Sequence, residues 1–231
     1  MTAGINCLAQ DRAELMLSSK EACRSMATPT TAAMKRVKHI GIYLRRVPRV
    51  RQFFAMQEMP TVLEAITDSD WAGCRRTRKS TSGGLIRFGS HVVRAWSSTQ
   101  SVISLSSGEA EYYAALKGMS VAMGVRTMLE DMGVFPEISL GTDSSAAKGM
   151  ASRRGLGKTR HVEVCYLWLQ GVVARGDARI VKIPGLENPA DLMTKFLSGE
   201  RVTDLMKRMS LIEASGRRPM APACAGEGRE L

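Results

Sequence analysis

The chain has 231 residues, of which 44% are hydrophobic, so it is long enough for one domain with a sizeable core plus extensions. Its 33 lysines and arginines against 22 acidic residues leave a formal net charge of +11, which favours a polyanionic partner such as nucleic acid. The cysteines form no CxxC pair, which argues against a zinc site and a secreted disulfide framework: Cys7, Cys23, Cys74, Cys165 and Cys224. No apolar run suits a signal peptide or a membrane span, so we expect an intracellular protein, nuclear or in a cytoplasmic particle, without a membrane partner.

Residues 1–60 are predicted to be basic and helical. Apolar residues recur at spacings of three and four residues in the segments 13–27 and 31–47, and the sequence Thr28-Pro29-Thr30 separates these two predicted helices. No adjacent Asp-Asp pair occurs anywhere in the chain, so the two-carboxylate loop of a polymerase is absent.

From Thr61 onward the pattern changes to strands. The segments VLEAIT, GGLIRFG and HVVRAWSS are predicted strands, the last two forming a hairpin around Gly89-Ser90. Next come a long helix over 107–132, a strand at ISLGT, a short helix from Ser144, a helix over 160–174, a strand at ARIVKI and a helix from Pro189, which Asn188 could cap. This order indicates an α/β fold with a mixed sheet. Residues 198–231 are predicted to form a short helix and a disordered tail.

Four acidic residues lie where a fold could bring their carboxylates together. Asp68 in TDSDWAG and Asp143 in LGTDSSAA each close an apolar, strand-like run. Glu111 in EAEYYAA and Asp191 in NPADLMTK lie in stretches typical of helices. Crowded carboxylates repel each other unless a cation lies among them, and oxygen ligands without His or Cys suit Mg²⁺ or Mn²⁺. The four acids therefore suggest metal-assisted attack on a phosphodiester.

Each acid also has a purely structural explanation. Asp68 could end a strand and begin a turn, and Asp143 could cap the helix that follows it. Glu111 could be an ordinary exposed helical residue, and Asp191 could be a first-turn acid favoured by the helix dipole. Substitutions distinguish the two kinds of role. If Asp68 and Asp143 are metal ligands, replacing either with Asn should abolish cleavage without lowering stability.

Five sequence blocks, in this order, resemble the ribonuclease H domain of copia-type (Ty1/copia) retrotransposon Pol polyproteins. The blocks are TDSDWAGCRRTRKSTSGG, WSSTQSVISLSSGEAEYYAA, LGTDSSAA, KTRHVEV and IPGLENPADLMTKFL, and they cover residues 63–197. The resemblance implies a ribonuclease H-like fold over 61–197, with a mixed five-stranded sheet flanked by helices. Residues 1–60 are similar to the segment that links the reverse transcriptase to the ribonuclease H, and would form a helical N-terminal extension.

The same resemblance implies hydrolysis of the RNA strand of RNA/DNA hybrids with two Mg²⁺ or Mn²⁺ ions. In the family the metal ligands are the first acid of the TDSDW block and the acid directly before the Tyr, which excludes Asp70 and Glu109. Asp70 is instead expected to fix the turn before Trp71, and Trp71 is expected in the core. The carboxylates implied as catalytic and metal-binding are Asp68, Glu111, Asp143 and Asp191.

Two basic runs are predicted to bind the phosphates of the substrate without reading its sequence. They comprise Arg75, Arg76, Arg78 and Lys79 with the hydroxyl of Ser80, and Arg153, Arg154, Lys158 and Arg160. Each run could equally be a solvated loop. His161 lies where the family also has a His and could orient the substrate, or it could make a structural hydrogen bond at a helix start.

Other interpretations stay open at this point. The chain could be a decayed or domesticated element fragment that binds nucleic acid without cleaving it, or a related integrase or resolvase, although those enzymes typically lack the first and last blocks. The reverse transcriptase portion of the same polyprotein is a further expected partner. Gly108 stands where the family usually has Thr, and Ser144 where it often has Asn.

Overall fold

The computed structural model describes residues 2–157 and 161–214. Its helices are α1 (Thr2–Ala9), α2 (Met16–Cys23), α3 (Thr31–Arg46), α4 (Ser107–Asp131), α5 (Ser145–Ser152), α6 (Trp168–Ala174) and α7 (Gly199–Arg208). Its strands are β1 (Arg49–Gln52), β2 (Val62–Asp70), β3 (Thr81–Phe88), β4 (His91–Thr99), β5 (Glu137–Thr142), β6 (Ala178–Lys182) and β7 (Leu211–Ala214). Short 3-10 helices occupy Ala13–Leu15, Val164–Leu167, Gly185–Glu187 and Pro189–Met193.

The main sheet has five strands in the order β4-β3-β2-β5-β6. Strands β2, β3 and β4 pair antiparallel, whereas β5 and β6 continue the sheet in parallel with β2. The parallel connections run through helices, as parallel pairs require. The predicted α/β fold, a mixed five-stranded sheet flanked by helices, is therefore confirmed, and β2 is its central strand.

Helices α4, α5 and α6 cover one face of this sheet. The alternation of β2 turns Leu63 and Ala65 toward them, and both side chains are fully buried. The helices contribute a continuous set of buried apolar residues, which includes Tyr112, Met119, Met150, Leu169 and Val172. This packing fixes α4, which carries Glu111, against the strand that carries Asp68.

Gly118 allows α4 to approach β2 closely. A Cβ at this position would lie 2.3 Å from Cγ2 of Thr67, whereas a Cβ at Gly124 in the same helix would meet nothing within 4 Å. We expect Gly118→Ala to lower the free energy of unfolding by about 1–3 kcal/mol through overpacking. Gly124→Ala should instead raise it by about 0.5–1 kcal/mol, because Ala favours the helix. Chemical denaturation of both variants tests the pair, and equal effects would contradict this packing.

The opposite face of the sheet is covered by both ends of the described chain. Residues of α1, α2 and α3, such as Ile5, Met16 and Ile40, share one apolar cluster with Ile66 and Leu85 of the sheet. The same cluster includes residues that follow the sheet, namely Leu192, Met193, Leu205, Met206 and Met209. In addition, β1 pairs antiparallel with β7 in a separate two-stranded sheet. The N-terminal helices are thus part of the core that lies under the site.

Several predicted elements have different lengths or identities in the structure. The helix predicted over 160–174 is shorter, since residues 161–163 are not helical and Val164–Leu167 is a 3-10 turn before α6. The helix predicted from Pro189 is a single 3-10 segment, although Asn188 caps it as expected by accepting from the N–H of Ala190. Helix α1 lies within residues 1–60, which were predicted to be helical, but strand β1 lies there too, so that part of the prediction was wrong; strand β7 was not predicted. The predicted helix after residue 198 is α7, and the predicted disordered tail from residue 215 lies outside the described residues.

Candidate active site

Three carboxylates converge at the end of the central strand. Oxygen atoms of Asp68, Glu111 and Asp143 all lie within 4.8 Å of one another. The parallel pairing of β2 with β5 sets Ile66 opposite Gly141, so Asp68 and Asp143 each follow two residues further on, at the same edge of the sheet. Glu111 reaches this edge from the second turn of α4. Three of the four predicted acids are therefore adjacent in space, as expected.

The contacts of Asp68 and Asp143 differ from the structural roles considered from sequence. Asp68 is fully buried inside β2 and does not form a turn. The cap of α5 is Ser144, which accepts from the N–H of Ala147 at 3.1 Å, and Asp143 accepts no hydrogen bond among the described residues. The turn role belongs to Asp70, whose Oδ1 accepts from the N–H of Thr81. Asp143 is thus left available for a ligand.

The carboxyl of Glu111 is only half satisfied. Its Oε1 accepts from the N–H of Ser69 at 3.2 Å, while Oε2 is buried without a hydrogen-bond partner among the residues described. A buried carboxylate oxygen without a partner is costly, and a bound cation would remove this cost. The donor set of the cluster consists of carboxylate oxygens alone, which is the set that Mg²⁺ and Mn²⁺ prefer. The three residues therefore fit a divalent cation.

Burial and the charges of neighbouring groups raise the pKa values of two carboxyl groups in the cluster. Burial, together with the charges of Asp68 and Asp143, raises the pKa of Glu111 to about 8. Burial also raises the pKa of Asp68 to about 6, although Lys195 and Thr194 oppose this shift. Both shifts disfavour the ionised carboxylates in the absence of a cation.

Asp191 lies beside the cluster and is joined to it through Lys195. The ammonium of Lys195 is 2.6 Å from Oδ1 of Asp191 and 3.1 Å from Oδ1 of Asp68. Thr194 donates its hydroxyl to the other oxygen of Asp68. Burial alone would lower the pKa of Lys195, but Asp68 and Asp191 raise it. Among the described residues, a cationic side chain thus bridges two of the four acids that were predicted to bind metal.

Thr194 and Lys195 belong to the last sequence block, but no role was predicted for them from the sequence. Their spacing from Asp191, three and four residues along the chain, is the signal that would have placed them on one side of a helical turn. Thr194 is buried, so its hydroxyl would be expected to need a polar partner. These two residues define the environment of Asp68.

His161 makes a polar contact near the site, but not with the three acids. Its Nε2 is 2.8 Å from Oε2 of Glu109, a buried residue. Glu109 also accepts from the N–H of Leu105 at 3.0 Å and from the hydroxyl of Tyr113 at 2.8 Å. The prediction that Glu109 points away from the metal ligands agrees with these contacts. Glu109 instead fixes the start of α4 and the position of His161.

The predicted basic runs lie in the loops that follow β2 and α5. Arg75, Arg76 and Arg78 are exposed in the loop between β2 and β3, and Lys79 is half-buried there. Ser80 is fully buried and accepts from the N–H of Ala72 at 2.9 Å, so this residue is removed from the predicted nucleic-acid surface.

In the second run, Arg154 is exposed after α5, and Arg153 donates to the carbonyl of Leu156 at 2.7 Å. Lys158 and Arg160 lie outside the described residues. Trp71, predicted in the core, is 53% exposed, and its indole N–H donates to the carbonyl of Ser104 at 3.1 Å. That prediction was wrong.

Known proteins similar to this chain agree with the motif resemblance, although no protein-family model matches it. The chain is 32% identical over 138 residues to the retrovirus-related Pol polyprotein from transposon TNT 1-94 of Nicotiana tabacum, which covers 59% of this chain and 10% of that relative. It is 24% identical over 222 residues to the Pol polyprotein from transposon RE2 of Arabidopsis thaliana, covering 95% of this chain and 15% of that relative. The chain thus spans between 10% and 15% of the length of these relatives.

Among solved structures, LC11-RNase H1 isolated from compost aligns with a TM-score of 0.42 and 17% identity, over 58% of this chain and 92% of that one. The homologues are copia-type retrotransposon Pol polyproteins, so the resemblance drawn from the five sequence blocks is confirmed. No helix within residues 2–157 and 161–214 combines the length and apolar character of a membrane span.

Proposed function

We propose that this chain is a metal-dependent nuclease that hydrolyses the RNA strand of RNA/DNA hybrids, as part of a retrotransposon Pol polyprotein. The observation that carries the proposal is the convergence of Asp68, Glu111 and Asp143 within 4.8 Å around a buried, unpartnered oxygen of Glu111. The similarity to Pol polyproteins supports the choice of nucleic acid as substrate.

In this proposal Asp68, Glu111 and Asp143 would hold one divalent ion. Asp68 with Asp191 would hold a second, in place of the Lys195 ammonium that lies between them. Bound ions of this kind would supply a nucleophilic hydroxide and stabilise the charge on the phosphodiester oxygens. The residues of the chain contribute position: Thr194 orients Asp68, and the N–H of Ser69 orients Glu111. The exposed Arg75, Arg76 and Arg78 would contact backbone phosphates of the duplex.

Discrimination between substrates would come from the shape of the duplex and from 2′-hydroxyl contacts, because a hybrid has an A-like groove. The exposed loop after β2, the strand that carries Asp68, is one surface available for such contacts. His161, held by Glu109, lies on this rim and would help to orient the substrate.

The test compares three labelled duplexes side by side: an RNA/DNA hybrid, double-stranded RNA and double-stranded DNA. With Mg²⁺ or Mn²⁺ the protein should cut the RNA strand of the hybrid only, and EDTA should stop the reaction. Equal cleavage of all three duplexes, or cleavage that persists in EDTA, would reject the proposal. Binding without any cleavage would favour a decayed nucleic-acid-binding module instead.

A further inference from the structure

A basic cleft lies next to the candidate active site, between the N-terminal helices and the loop that follows β2. Its volume is about 470 Å³. One wall is formed by the end of α2, the connection 24–30 and α3, and the other by residues 73–76. The basic side chains that line it are Arg24, Arg36, Arg75 and Arg76.

Positive charge in this cleft is not balanced by acids. Glu21 is the acidic residue among those that line it, and it pairs with Arg24 at 3.1 Å. Arg36, Arg75 and Arg76 are exposed and take part in no salt bridge within the part of the chain that the structure describes. Guanidinium groups without a carboxylate partner keep their donors for phosphate oxygens, which they bind in bidentate geometry.

The wall opposite the loop adds neutral donors and a helix N-terminus. Hydroxyl groups of Ser25, Thr28 and Thr30 line the cleft. Thr30 is the N-cap of α3, a helix of 16 residues, so the positive end of its dipole faces the same region. Hydroxyls, guanidinium groups and a helix N-terminus together form the donor set that recognises phosphate.

The two walls are held together, and the cleft adjoins the catalytic strand. Arg24 of the helical wall donates to Sγ of Cys74 in the loop, and the loop closes on itself through the N–H of Arg78 to the carbonyl of Cys74 at 2.7 Å. The carboxylate of Asp70 packs so closely on Gly73 that a Cβ there would collide with it. Asp70 is two residues from Asp68, so one wall of the cleft continues from the strand that carries part of the candidate active site.

We propose that this cleft binds a backbone phosphate of the nucleic-acid duplex outside the cleavage site, so that α2 and α3 extend the substrate-binding surface. The proposal rests on the proposed function for the identity of the polyanion. Because a phosphate contact reads neither base nor sugar, the cleft contributes affinity and register, and the hybrid specificity belongs to the active site.

A matched pair of neighbouring residues on α3 gives the test. Arg36 and Lys35 are both exposed cations, but only Arg36 lines the cleft. Binding of a labelled RNA/DNA hybrid and of duplex DNA is measured in EDTA over a range of salt concentrations. Arg36→Ala should weaken binding to both duplexes and reduce the slope of log affinity against log salt by about 0.7–0.9, whereas Lys35→Ala should leave the slope unchanged. The double variant Arg75→Ala, Arg76→Ala changes the other wall, and it should reduce the salt slope by up to about twice as much as Arg36→Ala.

Equal effects of Arg36→Ala and Lys35→Ala, or a slope that neither changes, would overturn the proposal in favour of diffuse surface charge. Circular dichroism and melting curves of the variants confirm that the exposed substitutions leave the fold intact. Cleavage of the hybrid with Mg²⁺ is followed on the same wild-type preparation. If the salt slope depends on Arg36 but the protein does not cleave the hybrid, the phosphate-binding cleft stands and the proposed nuclease function is rejected. If the protein cleaves the hybrid but the slope is independent of Arg36, the nuclease function stands and the cleft is rejected.

Discussion

Replacing Asp143 with Asn should abolish hybrid cleavage while leaving the metal-free protein as stable as the wild type or more so. The substitution removes a metal ligand, and loss of an outer partner alone typically costs about 10–100-fold in metal affinity or activity, so a larger loss is expected here. Stability should not fall, because Asp143 accepts no hydrogen bond and forms no salt bridge among the described residues, and it repels Glu111. Activity assays and thermal melting with and without Mg²⁺ measure both effects.

The effect of Asp143→Asn on the stability of the metal-free protein should depend on pH. The pKa of Glu111 is raised from 4.5 to about 8, so the folded protein holds a proton that the unfolded chain releases. Wild-type stability without metal should therefore fall as the pH rises between these values. Asp143→Asn removes one cause of the shift, so its advantage in melting temperature should grow from pH 4.5 to about pH 8.

Asp131, exposed at the end of α4, provides the matched control for this substitution. Asp131→Asn should keep full activity and the Mg²⁺-dependent rise in melting temperature that a ligand of the folded state produces. An Asp143→Asn protein that still cleaves, or that Mg²⁺ stabilises as much as the wild type, would show that Asp143 is not a ligand.

Replacing Lys195 with Met should destabilise the metal-free protein and increase its response to metal. The ammonium is the described cation that contacts both Asp68 and Asp191, and the side chain of Asp68 is only 1% exposed. Removing one partner of a buried pair costs about 3–5 kcal/mol. Lys195 itself is 41% exposed, so solvent screening reduces the expected loss to about 1–3 kcal/mol.

Mg²⁺ should recover part of this loss, because a cation bound only by the folded state adds stability by mass action. The defect should also shrink on acidification: Lys195 lowers the pKa of Asp68 from what burial alone would give, so its removal matters least where Asp68 is protonated, below about pH 6. Lys148→Met, an exposed substitution on α5, is the control. Equal denaturation midpoints for the two variants without metal would contradict the bridging role of Lys195.

The sequence was sufficient for the sheet and for most of the acidic cluster. Alternation and turn residues predict β2, β3 and β4, and the five blocks identify the resemblance on which the choice of Asp68 and Glu111 over Asp70 and Glu109 depends. The structure brings three of these acids together, and it gives Asp70 the turn role expected for it. Local patterns succeed here because each of the three acids lies in a regular element or directly after one: Asp68 in β2, Glu111 in α4 and Asp143 after β5.

The same local patterns cannot predict contacts between distant segments. Sequence treats Asp68 and Asp143 as equivalent, yet only Asp68 is bound by Thr194 and Lys195, which lie more than 120 residues away. We therefore no longer expect Asp68→Asn to be neutral for stability, since it would leave Lys195 with a weaker partner. Strands β1 and β7 escape prediction for the same reason, because each is four residues long and is stabilised by the other.

The pairing of β1 with β7 also determines when the fold can be completed during synthesis. A ribosome releases α1, α2, α3 and the main sheet well before it releases α7 and Leu211, which finish the second apolar cluster. Until then, the apolar cluster that contains Ile66 and Leu85 lacks its C-terminal members, and incompletely packed apolar surface is prone to aggregation. The carboxylates of Asp68 and Asp191 are likewise not joined until Lys195 has been made. Folding of the core and assembly of the site therefore end together, near the end of the described chain.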